Sequence, residues 1–163
     1  AILHCMRLGY EYISLKSQSY DIIDSTNIFS TVFLSSIQKI NPGLSASEAR
    51  QALDEISLAL ENEDLGRAFY KKLINRSGLR LIDYENFDQN TFHVVTELTY
   101  KNGEDEFRPD ITLLVNGMPL IFIEVKKPNN RDGILAEHKR VQNRFENKKF
   151  RNFVKFVRNF TKC

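Results

Sequence analysis

The sequence predicts an α/β (α+β) fold: a mixed β-sheet flanked by helices. Three observations predict it. Helical periodicity runs through residues 27–76, and strand-like patterns cluster between residues 79 and 126. Helical periodicity then returns from residue 134, so helices bracket a group of strands. The stretch 120–125 is apolar on both faces apart from one carboxylate, which is the pattern expected of a central strand.

Residues 1–43 carry the weakest pattern. The stretch 8–13 (LGYEYI) alternates like a short strand, and residues 27–40 place apolar side chains at 28, 29, 32, 33, 37 and 40. That spacing predicts a helix stopped by Asn41, Pro42 and Gly43. Ser45 followed by Glu48 is a capping box, in which each side chain satisfies an N–H of the first turn. Apolar residues at 49, 52, 53, 56, 59 and 60 then define one helix face. A third helix is expected over 64–76, ended by Ser77 and Gly78. Strands are expected at 79–84, 91–100, 107–115 and 120–126, the first candidates resting on β-branched and aromatic content. Past Pro128 the period changes. Ile134, His138, Val141 and Phe145 share one helical stripe, and Phe150, Phe153, Val154 and Val157 share another.

The chain has 163 residues, 42% of them hydrophobic, with 12 Phe and 6 Tyr, enough to build a core and too many for a disordered segment. The longest apolar stretch, 111–123, is broken by Asn116, Gly117 and Pro119, so no membrane span is expected. No secretory leader is visible. Cys5 and Cys163 lack any zinc-type spacing, and a reduced, cytoplasmic setting is expected. The net charge of +2 hides an asymmetry. Residues 1–125 hold 11 Lys/Arg against 18 Asp/Glu, whereas residues 126–163 hold 12 against 3. The basic segment that begins at Lys126 points to a polyanionic partner, with a solvated helix surface as the competing explanation.

Two charged residues, Glu124 and Lys126, interrupt the apolar strand at 120–126. Being two apart, they share a face. Charge at the end of a buried strand is costly unless it is paired or binds something. The preceding strand carries a lone carboxylate, Asp110, at its own polar end. Asn116 and Gly117 mark a hairpin turn between the two strands. A two-residue turn pairs Val115 with Met118 and sets Asp110 against Ile123, so Glu124 would face away. Convergence of Asp110 and Glu124 therefore requires a loop of odd length or a bulge in the ladder. Pro119, which has no N–H to give, is the natural place for the break. Two adjacent carboxylates make a hard-oxygen site suited to Mg²⁺, with Mn²⁺ as an alternative and the carbonyl of Val125 as a third ligand. Lys126 has no acceptor and cannot be a ligand. Its role would be to orient the attacking water and offset phosphate charge.

The pattern Pro109, Asp110, then Glu124, Val125, Lys126 resembles the PD-(D/E)xK nuclease motif. The wider string 107–129 (FRPDITLLVNGMPLIFIEVKKPN) resembles the N-terminal nuclease domain of the R subunit of type I restriction enzymes, as do 8–13, 90–95 (NTFHVV), 136–138 (AEH) and 147–150 (NKKF). The resemblance implies a restriction-endonuclease-like core spanning 1–163 as a single endonuclease domain. It implies Mg²⁺-dependent cleavage of double-stranded DNA, catalysed by Asp110, Glu124 and Lys126. It also implies partner specificity and methyltransferase subunits, and ATP used only by motor domains. No GxxxxGK[ST] phosphate loop occurs here, so those domains would lie in a longer chain of which this is a fragment. Lys127, Lys139, Arg140 and Arg144 are candidate DNA-phosphate contacts. Glu48 and Glu55 are open candidates for a further acidic residue. Gln142 is followed by Glu146 where some relatives have Tyr, so that motif is not carried over. Arg108 is assigned either a phosphate contact or a salt bridge to Asp105 or Glu106. His93 and His138 are read as packing residues. The competing functions are a repair or resolvase-type nuclease of the same superfamily, and a non-catalytic docking module.

Overall fold

The computed structural model describes residues 1–125 except 63, 65, 103 and 104, together with 136, 139, 140 and 143. It is an α+β fold with a mixed four-stranded sheet. The elements are α1 (Ile2–Arg7), β1 (Glu11–Ile13), α2 (Ser30–Ile40), α3 (Ala46–Glu61) and α4 (Arg67–Leu73), followed by β2 (Phe92–Thr96), β3 (Tyr100–Asn102), β4 (Asp105–Phe107), β5 (Ile111–Val115) and β6 (Met118–Ile123). The strand order is β1-β2-β5-β6, with β1 parallel to β2 and the other pairs antiparallel. β3 and β4 form a separate hairpin.

α3 matches its sequence pattern. Ser45 Oγ accepts from Glu48 N, and Glu48 Oε2 accepts from Ser45 N at 2.8 Å. Each of the six predicted apolar positions is buried. That face meets Phe33, Ile37 and Ile40 of α2 and Phe69 and Leu73 of α4, and Met118 closes the cluster. The helical layer therefore packs against the hairpin end of the sheet. One face of the sheet, with Ile13, Val95 and Leu114, is covered by Tyr100 and Phe107 of the β3–β4 hairpin. The other face, with Val94, Ile111 and Leu113, is covered by α1 through Cys5.

Several boundaries differ from expectation for identifiable reasons. α2 starts at Ser30 rather than Asn27, because Asn27 is left-handed (φ 54°) and the Phe29 amide donates to Gly117 O at 3.0 Å. α4 is shorter than 64–76 at both ends, and Asp64 accepts from the amides of Gly66 and Ala68 at its start. The strand expected at 79–84 does not form. Its backbone is satisfied by side-chain amides instead: Asn41 bonds both the N–H and the C=O of Arg80, Asn116 reaches Leu81 O, and Asn90 bonds both groups of Asp83. The strand at 91–100 splits where Glu97 turns left-handed (φ 54°), and the one at 107–115 splits at Pro109. β6, expected to be central, is outermost among the described residues, and β5 is flanked on both sides. The apolarity of 120–125 thus reflects cover above and below: Ile121 and Ile123 join the α1 side, and Phe122 packs edge-on against Phe107 at 5.3 Å.

The β5–β6 turn has Asn116 at φ 50° and Gly117 at φ 78°, the left-handed pair that an Asn-Gly hairpin requires. A Cβ on Gly117 would lie 2.7 Å from Phe33 N and 2.8 Å from Phe29 O, so glycine also permits the approach of α2. Asn116 is fully buried and bonds Leu81 O, Asn90 Oδ1 and the Thr91 amide, which ties the turn to the loop before β2.

The interrupted ladder is present. Val115 pairs with Met118 and Leu114 with Pro119, but Leu113 pairs with Ile121. Leu120 is the extra residue of a bulge. Every pair beyond it is shifted by one, ending at Ile111 opposite Ile123.

Candidate active site

The ladder ends at Ile111 and Ile123, and continuing its register by one residue sets Asp110 opposite Glu124. Without the Leu120 bulge, Asp110 would have faced Ile123. The two acidic residues close the open end of the hairpin, away from the Asn116–Gly117 turn. The next pair inward on their face is Thr112 and Phe122. Thr112 is fully buried and Phe122 partly so. Burial pushes the Tyr100 phenol above its ordinary value.

Asp110 is held on both sides. Its carbonyl accepts from the Glu97 amide at 3.3 Å, and its side-chain Oδ2 accepts from the Val125 amide at 2.6 Å. Oδ1 has no hydrogen-bond donor among the described residues. Pro109, buried beside it, fixes the backbone entry and keeps Arg108 extended. Glu124 is half-buried and Val125 exposed.

Glu97 is the site neighbour that sequence reasoning missed. Thr96 pairs with Ile111, so Glu97 flanks Asp110 on the side opposite Glu124. An acidic residue just past a β-branched strand was the available signal. Its left-handed backbone directs the amide to Asp110, and no sequence rule foretells that. Among the described residues no three His, Cys, Asp or Glu side chains gather as a metal-binding group.

Lys126, Lys127 and Arg144 lie outside the described residues, as does His138. Ala136, Lys139, Arg140 and Asn143 are each helical and exposed. Glu48 is engaged in its capping box, and Glu55 accepts from Lys72 at 2.9 Å, so both open candidates on α3 have other partners. Glu106 pairs with Lys101 at 3.7 Å rather than with Arg108. His93 is a packed strand residue, its Nε2 3.8 Å from Glu11 Oε2, and burial lowers its pKa.

Asp110 Oδ1, the Glu124 carboxylate and the Val125 carbonyl are hard oxygens contributed by two adjoining chain segments. A donor set of that chemistry fits Mg²⁺ or Mn²⁺ rather than a soft metal.

A family model described as "Type I restriction enzyme R protein N terminus" matches residues 1–160. A putative type I restriction enzyme endonuclease subunit (MjaIXP) of Methanocaldococcus jannaschii is 30% identical over 154 residues, covering 80% of this chain and 15% of that protein. A second from the same organism (MjaVIIIP) is 39% identical over 81 residues, covering 48% of this chain and 8% of that protein. The type I restriction enzyme HindI endonuclease subunit of Haemophilus influenzae is 31% identical over 114 residues, covering 56% of this chain and 10% of that protein. The chain thus spans 15% or less of the length of these relatives. Among the described residues no helix is long and apolar enough to cross a membrane.

Proposed function

Because the chain belongs to the family of type I restriction enzyme R protein N termini, we propose that it is the metal-dependent nuclease segment of such a subunit and cleaves double-stranded DNA. The observation that supports the reading is the Leu120 bulge: carried one residue past the last ladder pair, Ile111 and Ile123, the shifted register sets Asp110 opposite Glu124. A bulge that re-aims one carboxylate toward another is a feature found beside active sites.

In this reading Asp110 Oδ1, Glu124 and the Val125 carbonyl hold Mg²⁺ or Mn²⁺. When bound, the cation supplies Lewis-acid stabilisation of a phosphoryl oxygen and acidifies a coordinated water. Lys126, two residues after Glu124, orients the attacking water and offsets charge on the phosphate. The Val125 and Glu97 amides keep Asp110 in place while the carboxylates take the cation's charge. The exposed Lys139 and Arg140 contact DNA phosphates, joined by Lys127 and Arg144, and give salt-sensitive, sequence-independent affinity. Target choice comes from partner specificity and methyltransferase subunits, and ATP is used by motor domains of a longer polypeptide. The much greater length of the relatives supports that arrangement.

The test is cleavage of plasmid DNA by the complete assembly carrying Asp110→Ala. The expected result is loss of double-strand breaks with translocation intact. Undiminished cleavage would refute the proposal.

A further inference from the structure

Arg108 stands at the mouth of the candidate site, two residues before Asp110 and two after Glu106. It lies in the break between β4, which ends at Phe107, and β5, which begins at Ile111, close along the chain to both carboxylates. A guanidinium between two carboxylates at that spacing ordinarily pairs with one of them. Here it pairs with neither. Glu106 takes Lys101 at 3.7 Å, and Asp110 takes the Val125 amide at 2.6 Å. Arg108 is exposed and has no ion pair or side-chain hydrogen bond among the described residues. Its backbone is not loose. Phe107 is buried under β3, and Pro109 is buried on the other side and confines Arg108 to extended geometry. Among the described residues, therefore, the exposed Arg108 guanidinium has no partner although Asp110 lies two residues away.

A strand of DNA approaching Asp110 and Glu124 meets negative charge, and a bound divalent cation offsets only part of it. A guanidinium presents a planar fork that matches two phosphate oxygens. We infer that Arg108 is a substrate-binding residue that grips a backbone phosphate next to the one cleaved, and so sets the register of the strand over the carboxylates. The inference rests on the nuclease reading above. It adds a contact on the substrate, made by a residue outside the metal's donor set.

The experiment measures binding of a fluorescent duplex oligonucleotide to the 163-residue chain in Ca²⁺ across a range of salt, beside Mn²⁺ binding by calorimetry, for wild type, Arg108→Ala and Arg108→Lys. The expected result for Arg108→Ala is about tenfold weaker duplex binding, and a log K against log salt slope shallower by about one, irrespective of sequence. Arg108→Lys should recover the slope and only part of the affinity, since an ammonium restores the charge without the fork. Mn²⁺ binding should be the same in all three. Duplex affinity and slope unchanged in Arg108→Ala would overturn the inference, as would loss of Mn²⁺ binding there, because the residue would then act on the carboxylates. A wild-type chain that takes up neither Mn²⁺ nor duplex would overturn the nuclease reading itself.

Discussion

The Val125 amide donates to Asp110 Oδ2 at 2.6 Å, a bond spanning 15 residues of chain. It ties the residue after Glu124 to the carboxylate opposite Glu124. One side-chain oxygen of Asp110 is thereby fixed, and the two strands are held in register past the last ladder pair. The Leu120 bulge sets which residues face each other, and this bond holds them there.

Replacing Val125 with proline removes that single donor and no side chain of the site. Val125 is exposed, so packing loss is small. Val125→Pro should weaken Mn²⁺ binding by roughly tenfold or more, as loss of a group that orients a ligand does. Val125→Ala, which keeps the N–H, should bind like wild type. Calorimetry on the two variants checks this, and equal affinities would assign the bond no part in the site.

Glu48 and Glu55 are engaged away from Asp110. A hydrogen bond to Ser45 holds the Glu48 carboxyl below its usual range, and a hydrogen bond to Lys72 does the same for Glu55. Glu48→Gln and Glu55→Gln should each leave Mn²⁺ affinity unchanged and lower thermal stability slightly, because both groups are exposed and well screened. A loss of metal binding in either variant would bring that residue into the site.

Burial holds the His93 imidazole below its ordinary pKa, with Glu11 pulling the other way. As pH falls, the unfolded chain takes up the proton first. The contribution to stability is full above about pH 6.5 and is lost as pH drops from there through the folded-state value. Wild type should therefore lose more stability than His93→Gln between about pH 7.5 and about pH 5.5. Denaturant midpoints at the two pH values read the difference, and parallel losses would contradict the burial argument.

What the sequence made legible was local. Ser45, Glu48 and six apolar positions specify α3 without reference to the rest of the chain, and all six are buried. Parity required an odd loop or a bulge if Asp110 and Glu124 were to converge, and the bulge falls at Leu120, next to the expected Pro119. The unread features depend on distant partners. The stretch 79–84 has strand-like composition, yet Asn41, Asn90 and Asn116 satisfy its backbone from elsewhere in the chain. Apolarity at 120–125 reported two covered faces and was mistaken for two flanking strands. In the candidate site the acidic pair was visible, because side-chain type carries it. The amides of Val125 and Glu97 were not, because any residue has one and only the folded backbone aims it.

The most direct test of the central claim is calorimetric titration of Mg²⁺ and Mn²⁺ into wild type, Asp110→Ala and Glu124→Ala, with circular dichroism to establish that each variant is folded. The account predicts binding in wild type and its loss in both variants, which would put the two carboxylates in one metal site. Equal binding in all three, or none in wild type at millimolar metal with duplex DNA present, would contradict it.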